Sequence, residues 1–189
     1  MLTGNELDNL IGDSVNSAGA IYGEGGNDTL IGGSGPDALY GGEGNDTLTG
    51  GDHFDVLNGG DGDDLLDGGQ NSDVLTGGAG ADVFQFSTVF PWVLPHTTFA
   101  NVDTIEDFLE GVDEIHLDDA VFAALTPGAL PASAFATGSA AADADDRIIY
   151  DPVSGALYYD ADGTGAGAME QFAQLSGGLL VTASDFAVI

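Results

Sequence analysis

From Gly23 to Gln85 one nine-residue phrase recurs without a gap, and this periodicity constrains the fold more than any other feature of the chain. In register it reads GEGGNDTLI, GGSGPDALY, GGEGNDTLT, GGDHFDVLN, GGDGDDLLD, GGQNSDVLT and GGAGADVFQ, seven variants of G-G-x-G-x-D-x-U-x with U apolar. The sixth position is always Asp: Asp28, Asp37, Asp46, Asp55, Asp64, Asp73 and Asp82. The eighth is always apolar: Leu30, Leu39, Leu48, Leu57, Leu66, Leu75 and Phe84.

Each part of the phrase has a physical reading. Glycine at the second position (Gly33, Gly42, Gly51, Gly60, Gly69, Gly78) and at the fourth (Gly26, Gly35, Gly44, Gly62, Gly80) permits positive-φ turns. It also lets backbone carbonyls approach a ligand with no Cβ in the way. The last three residues suit a very short strand with one inward and two outward side chains. Turn, strand, turn, strand makes an eighteen-residue coil, and stacked coils give two parallel sheets around a Leu-filled interior, with turns piled on either edge. Residues 1–22 read as a worn entry, with Asp8 and Leu10 spaced as in the phrase and Gly19 where Asp belongs. A terminal copy with one neighbour is expected to be atypical.

Charge adds a second constraint. Thirty-two Asp and Glu stand against one basic residue, Arg147. The free chain repels itself and is a poor partner for nucleic acid or an anionic membrane. The acids are regularly spaced rather than in blocks and the apolar content is ordinary, so something cationic is needed to complete a fold. With no cysteine, disulfides and thiolate zinc sites are unavailable. The start, MLTGNELDNLIG, lacks the basic and apolar regions of a Sec-type signal peptide, and no window has the roughly 18 apolar residues of a spanning helix.

The repeat resembles the RTX (repeats-in-toxin) nonapeptide. That resemblance implies an all-β fold, a parallel β-roll over residues 1–86, followed over 87–189 by a β-rich capping region. It also implies Ca²⁺ held between a turn and the next turn on the same edge, by sixth-position Asp side chains and turn carbonyls, the all-oxygen set a hard ion takes. Carried over, one edge holds Asp28, Asp46, Asp64 and Asp82, with three gaps, and the other holds Asp37, Asp55 and Asp73, with two. Five sites are expected, and Asp8, read in phase with Asp28, offers a sixth. On the first edge the fourth position is always Gly, whereas on the second it runs Gly35, His53, Asn71. Asn and His tolerate the left-handed region at some cost, so the second edge is expected to bind more weakly. His53 reads first as such a turn residue and second as a metal ligand, His96 and His116 having no ligand spacing.

Beyond the array, Phe90 and Trp92 read as a cover for the open core or as a partner surface. The segment DTIEDFLEGVDEIHLDD (103–119) resembles the closing segment of RTX rolls, including the C-terminal domain of serralysin-type proteases. Ile105, Phe108, Ile115 and Leu117 suit buried faces there, and Asp107 and Asp113 read either as ligands of a further ion or as solvated acids. VFAAL (121–125) and residues 130–135 suit short helical turns. Ile148 to Tyr150 and Leu157 to Tyr159 read as a hairpin, and Asp160, Asp162 and Gly163 as a turn with an echo of a calcium loop. Leu179 to Thr182 suits a last strand. The tail, with Asp185 and an apolar finish, resembles a C-terminal type I secretion signal and equally suits a docking strand.

The functional expectation is a calcium-binding module, unfolded at low Ca²⁺, exported by a Gram-negative type I (ABC transporter) system and folded outside the cell. Extracellular calcium modules bind at roughly 10⁻⁴ to 10⁻³ M per site. At ten times such a constant each site adds about 1.4 kcal/mol, so five add about 7 kcal/mol, comparable to a typical whole stability. An alternative is the tail of a secreted protease, lipase or epimerase with its catalytic domain elsewhere. No H-E-x-x-H or G-x-S-x-G is present, so no enzyme activity is expected of these residues. An adhesive or surface-layer solenoid is the other alternative. Ice binding is set aside because the third positions (Gly25, Ser34, Glu43, Asp52, Asp61, Gln70, Ala79) form no Thr row.

Overall fold

The computed structural model describes residues 1–12, 18–87 and 101–189. The array supplies β1 (Leu2–Asn5), β2 (Leu10–Gly12), β3 (Gly19–Gly25), β4 (Thr29–Ser34) and β5 (Asp37–Glu43). It continues through β6 (Thr47–Asp52), β7 (Val56–Asp61), β8 (Leu65–Gly69), β9 (Val74–Ala79) and β10 (Val83–Phe86). Beyond it lie β11 (Asp103–Ile105), β12 (Glu114–Leu117), β13 (Gly128–Ala129), β14 (Phe135–Thr137), β15 (Ile148–Tyr150), β16 (Ala156–Tyr159), β17 (Glu170–Gln174) and β18 (Phe186–Val188).

Strands alternate between two sheets because each nine-residue phrase contains one turn. One sheet runs β1-β3-β5-β7-β9-β11-β17-β16-β15-β14 and the other β13-β18-β12-β10-β8-β6-β4-β2. Pairing within the array is parallel and in register, as in Leu39 opposite Leu57 and Leu48 opposite Leu66. The chain is therefore an all-β parallel roll, as its repeat predicts. The strands run longer than three residues, since β4, β6, β7 and β9 carry on through the glycine pair. Stacked turns of identical length keep those glycines in register too, as in Gly33 opposite Gly51.

The eighth-position side chains form the core. Leu30, Leu39, Leu48, Leu57, Leu66, Leu75 and Phe84 are all 0% exposed, each worth about 1.5–3 kcal/mol of burial. Ile105, Phe108, Ile115 and Leu117 extend this column, as expected of the closing segment. Both sheets and the hydrophobic core continue past residue 86, so the C-terminal region is built onto the roll rather than beside it. Phe86 and Phe122 both pack edge-on against Phe172, at 5.1 Å between ring centroids.

The hairpin of β15 and β16 is antiparallel, with Ile148 opposite Tyr159 and Tyr150 opposite Leu157. Ala132–Ala134 forms a short 3-10 turn as expected, whereas residues 121–125 make only isolated turns. The last strand is not Leu179 to Thr182. Thr182 instead caps a 3-10 turn, Ala183–Asp185, through reciprocal bonds with Asp185, and the apolar finish Phe186–Val188 forms the strand beside β12. Phe90, Trp92 and His96 lie outside the described residues.

Candidate metal centre

The sixth-position carboxylates form a ladder on each edge. Asp46 Oδ1 accepts the Asp28 N–H at 2.7 Å, Asp64 Oδ1 that of Asp46 at 2.7 Å, and Asp82 Oδ1 that of Asp64 at 3.0 Å. On the second edge Asp55 Oδ1 accepts from Asp37 and Asp73 Oδ1 from Asp55, both at 2.7 Å. One oxygen of each carboxylate is thus spent on the preceding coil. The other, Oδ2 of Asp28, Asp46, Asp55, Asp64 and Asp73, is buried with no hydrogen-bond partner. A buried bare carboxylate oxygen is costly unless a cation meets it.

Those oxygens point into the space a Cβ would fill at the first glycine of the same repeat. Across that space stands the first-glycine carbonyl of the next coil. It lies 2.5 Å from the ideal Cβ position at Gly23, Gly32, Gly41 and Gly50 and 2.6 Å at Gly59. Carboxylate and carbonyl face each other in three such cradles on the first edge (Gly23, Gly41, Gly59) and two on the second (Gly32, Gly50). The turn glycines expected to line the sites have positive φ: 95–120° at Gly33, Gly42, Gly51, Gly60, Gly69 and Gly78, and 97–150° at Gly26, Gly35, Gly44, Gly62 and Gly80. This conformation stacks the carbonyls of Gly26, Gly33, Gly42, Gly44, Gly51, Gly60 and Gly62 along the edges, each at the next coil's glycine.

Among the described residues no three His, Cys, Asp or Glu side chains gather into a metal centre. Any ion on these edges is held by paired carboxylates and backbone carbonyls. That donor set fits Ca²⁺, which takes several oxygens, and does not fit zinc.

Burial, above all, raises the carboxyl pKa values: Asp64 and Asp55 reach about 7, Asp73 about 8 and Asp82 about 6. The backbone N–H each accepts opposes the rise, and neighbouring rung charges add to it. Asp46 is raised for the same reasons. Anionic rungs stacked this way repel one another without a cation.

The first coil corrects one expectation. Leu10 pairs with Thr29 and Ile11 with Leu30, an offset of 19 rather than 18, so Asn9 and not Asp8 takes the sixth-position seat. The Asn9 amide oxygen and the Gly23 carbonyl face the Gly4 cradle. Asp8 occupies the fifth seat, where its Oδ1 accepts the Asn27 N–H at 2.8 Å.

That contact belongs to a second ladder, unread in the sequence. Asn27 Oδ1 accepts the Asn45 N–H at 2.9 Å, Asn45 Oδ1 that of Asp63 at 3.1 Å, and Asp63 Oδ1 that of Ala81 at 2.9 Å. These side chains reach toward the next coil while the aspartates reach back, so the first edge is laced in both directions. The fifth seats of the second edge hold Pro36, Phe54 and Ser72, of which only Ser72 makes such a bond, accepting the Val102 N–H at 3.0 Å. The signal was the run of Asn and Asp before the sixth-position Asp on alternate repeats.

His53 and Asn71 do adopt positive φ, 82° and 75°, as their seats require. Glu24 shares this conformation, at 79°, in the second seat of the first repeat. His116 pairs with Glu114 at 3.0 Å, on β12.

In the closing segment Asp113 Oδ1 accepts the Asp82 N–H at 3.0 Å and continues the first ladder, while Asp103 Oδ1 accepts that of Asp73 at 3.0 Å and continues the second. Burial pushes Asp113 up and Asp103 well above the usual carboxylate range. Asp103 was missed because its offset is 30 rather than 18, although D-x-I repeats the D-x-U of the array. Asp107 is placed differently: its two oxygens accept the Gly77 and Gly78 N–H groups at 3.0 and 2.9 Å, a clamp on the last turn. In the loop between β16 and β17, Asp160 Oδ1 accepts the Asp162 N–H at 3.1 Å and Asp162 Oδ2 that of Gly167 at 3.0 Å, which makes this segment a hydrogen-bonded turn.

Comparison with known proteins agrees with the repeat. Residues 22–52 and 49–84 match the family model of the RTX calcium-binding nonapeptide repeat. No curated protein matches the chain. Among solved structures, a subunit of the mannuronan C5-epimerase from Azotobacter vinelandii, determined in solution, matches at 23% identity and a TM-score of 0.36. That match covers 97% of this chain and 80% of the other.

Proposed function

With residues 22–84 identified as RTX calcium-binding repeats, we propose that this chain is a module folded by calcium: thread-like at low Ca²⁺, exported by a type I ABC transporter, and rigid outside the cell. The observation that carries this reading is the row of buried Oδ2 atoms without partners on both edges. The chain's one Lys or Arg side chain, Arg147, donates to the Ala144 and Asp146 carbonyls instead.

Bound Ca²⁺ neutralises the rungs and ties neighbouring coils together. The carboxylates of Asp28, Asp46 and Asp64, with the carbonyls of Gly41, Gly59 and Gly77, form three rungs on the first edge. Asp37 and Asp55, with the Gly50 and Gly68 carbonyls, form two on the second. At about micromolar calcium, far below the dissociation constants typical of extracellular modules, the stabilising contribution disappears and the rungs repel. A secretion channel needs that unfolded thread. The role is binding and folding rather than catalysis. No helix among the described residues is long and apolar enough to cross a membrane.

Circular dichroism of the full chain in chelator and in millimolar calcium tests the proposal. Disorder in chelator and β-structure with calcium are expected, and a chain equally folded in both overturns it.

A further inference from the structure

We infer that the second edge carries one more divalent-cation rung, between Asp73 and Asp103, in which the Asn101 side-chain oxygen takes the place of a turn carbonyl. The inference rests on the calcium reading of the array, but its residues lie partly outside the repeats matched there.

Asp103 takes the next sixth-position seat, its Oδ1 accepting the Asp73 N–H. Asp73 and Asp103 are 1% and 2% exposed. Asp73 Oδ2 is buried without a partner and points into the empty Cβ position of Gly68, as Asp55 Oδ2 does at Gly50. The two cradles differ in what faces the carboxylate. At Gly50 the Gly68 carbonyl stands across the space, whereas at Gly68 the three nearest atoms all belong to Asp73. Among the described residues the rung therefore lacks the close oxygen that the Gly68 carbonyl supplies at Gly50.

Asn101 brings that oxygen to the same turn. Its Nδ2 donates to the Gly69 carbonyl at 2.9 Å, and the following residue, Val102, donates its N–H to Ser72 Oγ at 3.0 Å. These bonds lay the segment leading to Asp103 along the turn. Asn101 Oδ1 is buried and has no partner, the one such side-chain oxygen among the described residues outside the sixth-position aspartates. A buried amide normally satisfies both its ends. Here the donor is used and the acceptor is bare, at the same Gly68–Gly69 turn that the bare Asp73 Oδ2 faces. A hard cation accepts oxygen donors without offering a proton, and two carboxylates with a neutral amide suit a divalent one.

Native mass spectrometry of the full chain at rising calcium tests the site by counting bound ions. Asn101→Leu should bind one ion fewer than wild type, and Asn101→Asp should keep the full count and fill its last ion at lower calcium. Equal counts for wild type and a folded Asn101→Leu overturn the inference. Should Asn101→Leu fail to fold, Asn101→Asp decides: an earlier-filling last ion supports the rung and an unchanged titration overturns it. A wild-type chain that binds no calcium at all overturns the array reading together with this one, an outcome distinct from the loss of a single ion.

Discussion

The two edges of the roll start from the same phrase and end as different structures. On the first, the fourth seat is glycine with φ of 97–150°, and two ladders run in opposite directions, aspartate carboxylates backward and Asn or Asp oxygens forward. On the second, His53 and Asn71 sit near 80° in the left-handed region and only the aspartate ladder runs through the repeats. Regularity here is a mechanical property. An edge whose turns are locked to both neighbours presents its oxygens in place before an ion arrives, and preorganisation lowers the cost of binding.

The largest expected difference lies at the fourth seat. A Cβ on Gly62, at φ 134°, would stand 2.6 Å from the Gly44 carbonyl carbon, so backbone would have to move. Gly62→Ala is expected to cost about 3 kcal/mol at saturating calcium, the upper end of backbone strain at such positions, while Asn71→Ala costs about 1 kcal/mol. Thermal or denaturant unfolding of both variants checks this, and equal losses would erase the distinction between edges.

Next comes the pair Asp64→Asn and Asp55→Asn, each removing a carboxylate with a rung on either side. Two weakened rungs amount to about 3 kcal/mol in each case by mass action. The excess lost at Asp64, read as the larger rise in the calcium needed for half-folding, measures what the second ladder adds. Asn45→Ala removes that ladder directly and is expected to bring the first edge's calcium requirement toward the second's, an effect of about 1 kcal/mol per lost bond.

Proton competition acts on both edges alike at their inner rungs. Folding raises the carboxyls of Asp64 and Asp55 to about 7 and Asp73 to about 8, from 3.8. The folded state therefore binds more protons than the unfolded one, and stability without calcium is greatest near pH 4 and falls as pH rises toward 8. In chelator the folded signal should grow on acidification, whereas in calcium the slope reverses, because the ion needs the carboxylate. A folded fraction in chelator that is flat between pH 5 and 8 would mean the rungs stay solvated.

The register of the array was legible because a nine-residue period leaves each Leu one face and each Asp one edge: Leu48 and Asp46 could go nowhere else. Legibility failed where the period did. One extra residue in the first coil put Asn9 in the seat read for Asp8, and an offset of 30 hid Asp103, while Asp107, read as an ion ligand or a solvated acid, clamps the Gly77 and Gly78 amides. The fifth-seat ladder was hidden for a different reason. Position five varies among Asn, Asp, Pro, Phe, Ser and Ala, and only after the edges are separated does the first show side-chain acceptors in succession.

His53→Gly carries the smallest and most discriminating effect. A non-glycine residue at φ 82° pays a left-handed strain of about 1 kcal/mol, but glycine restores flexibility to the unfolded chain at about 0.5–1 kcal/mol, so the two nearly cancel in stability. Calcium affinity need not cancel in the same way. If the second edge binds weakly because its turns are strained, His53→Gly lowers the calcium required for its rungs while leaving the unfolding temperature at saturating calcium almost unchanged. If it binds weakly because its fifth seats lack a ladder, His53→Gly changes neither, and Phe54→Asn, which supplies an acceptor at the same turn, lowers the requirement instead.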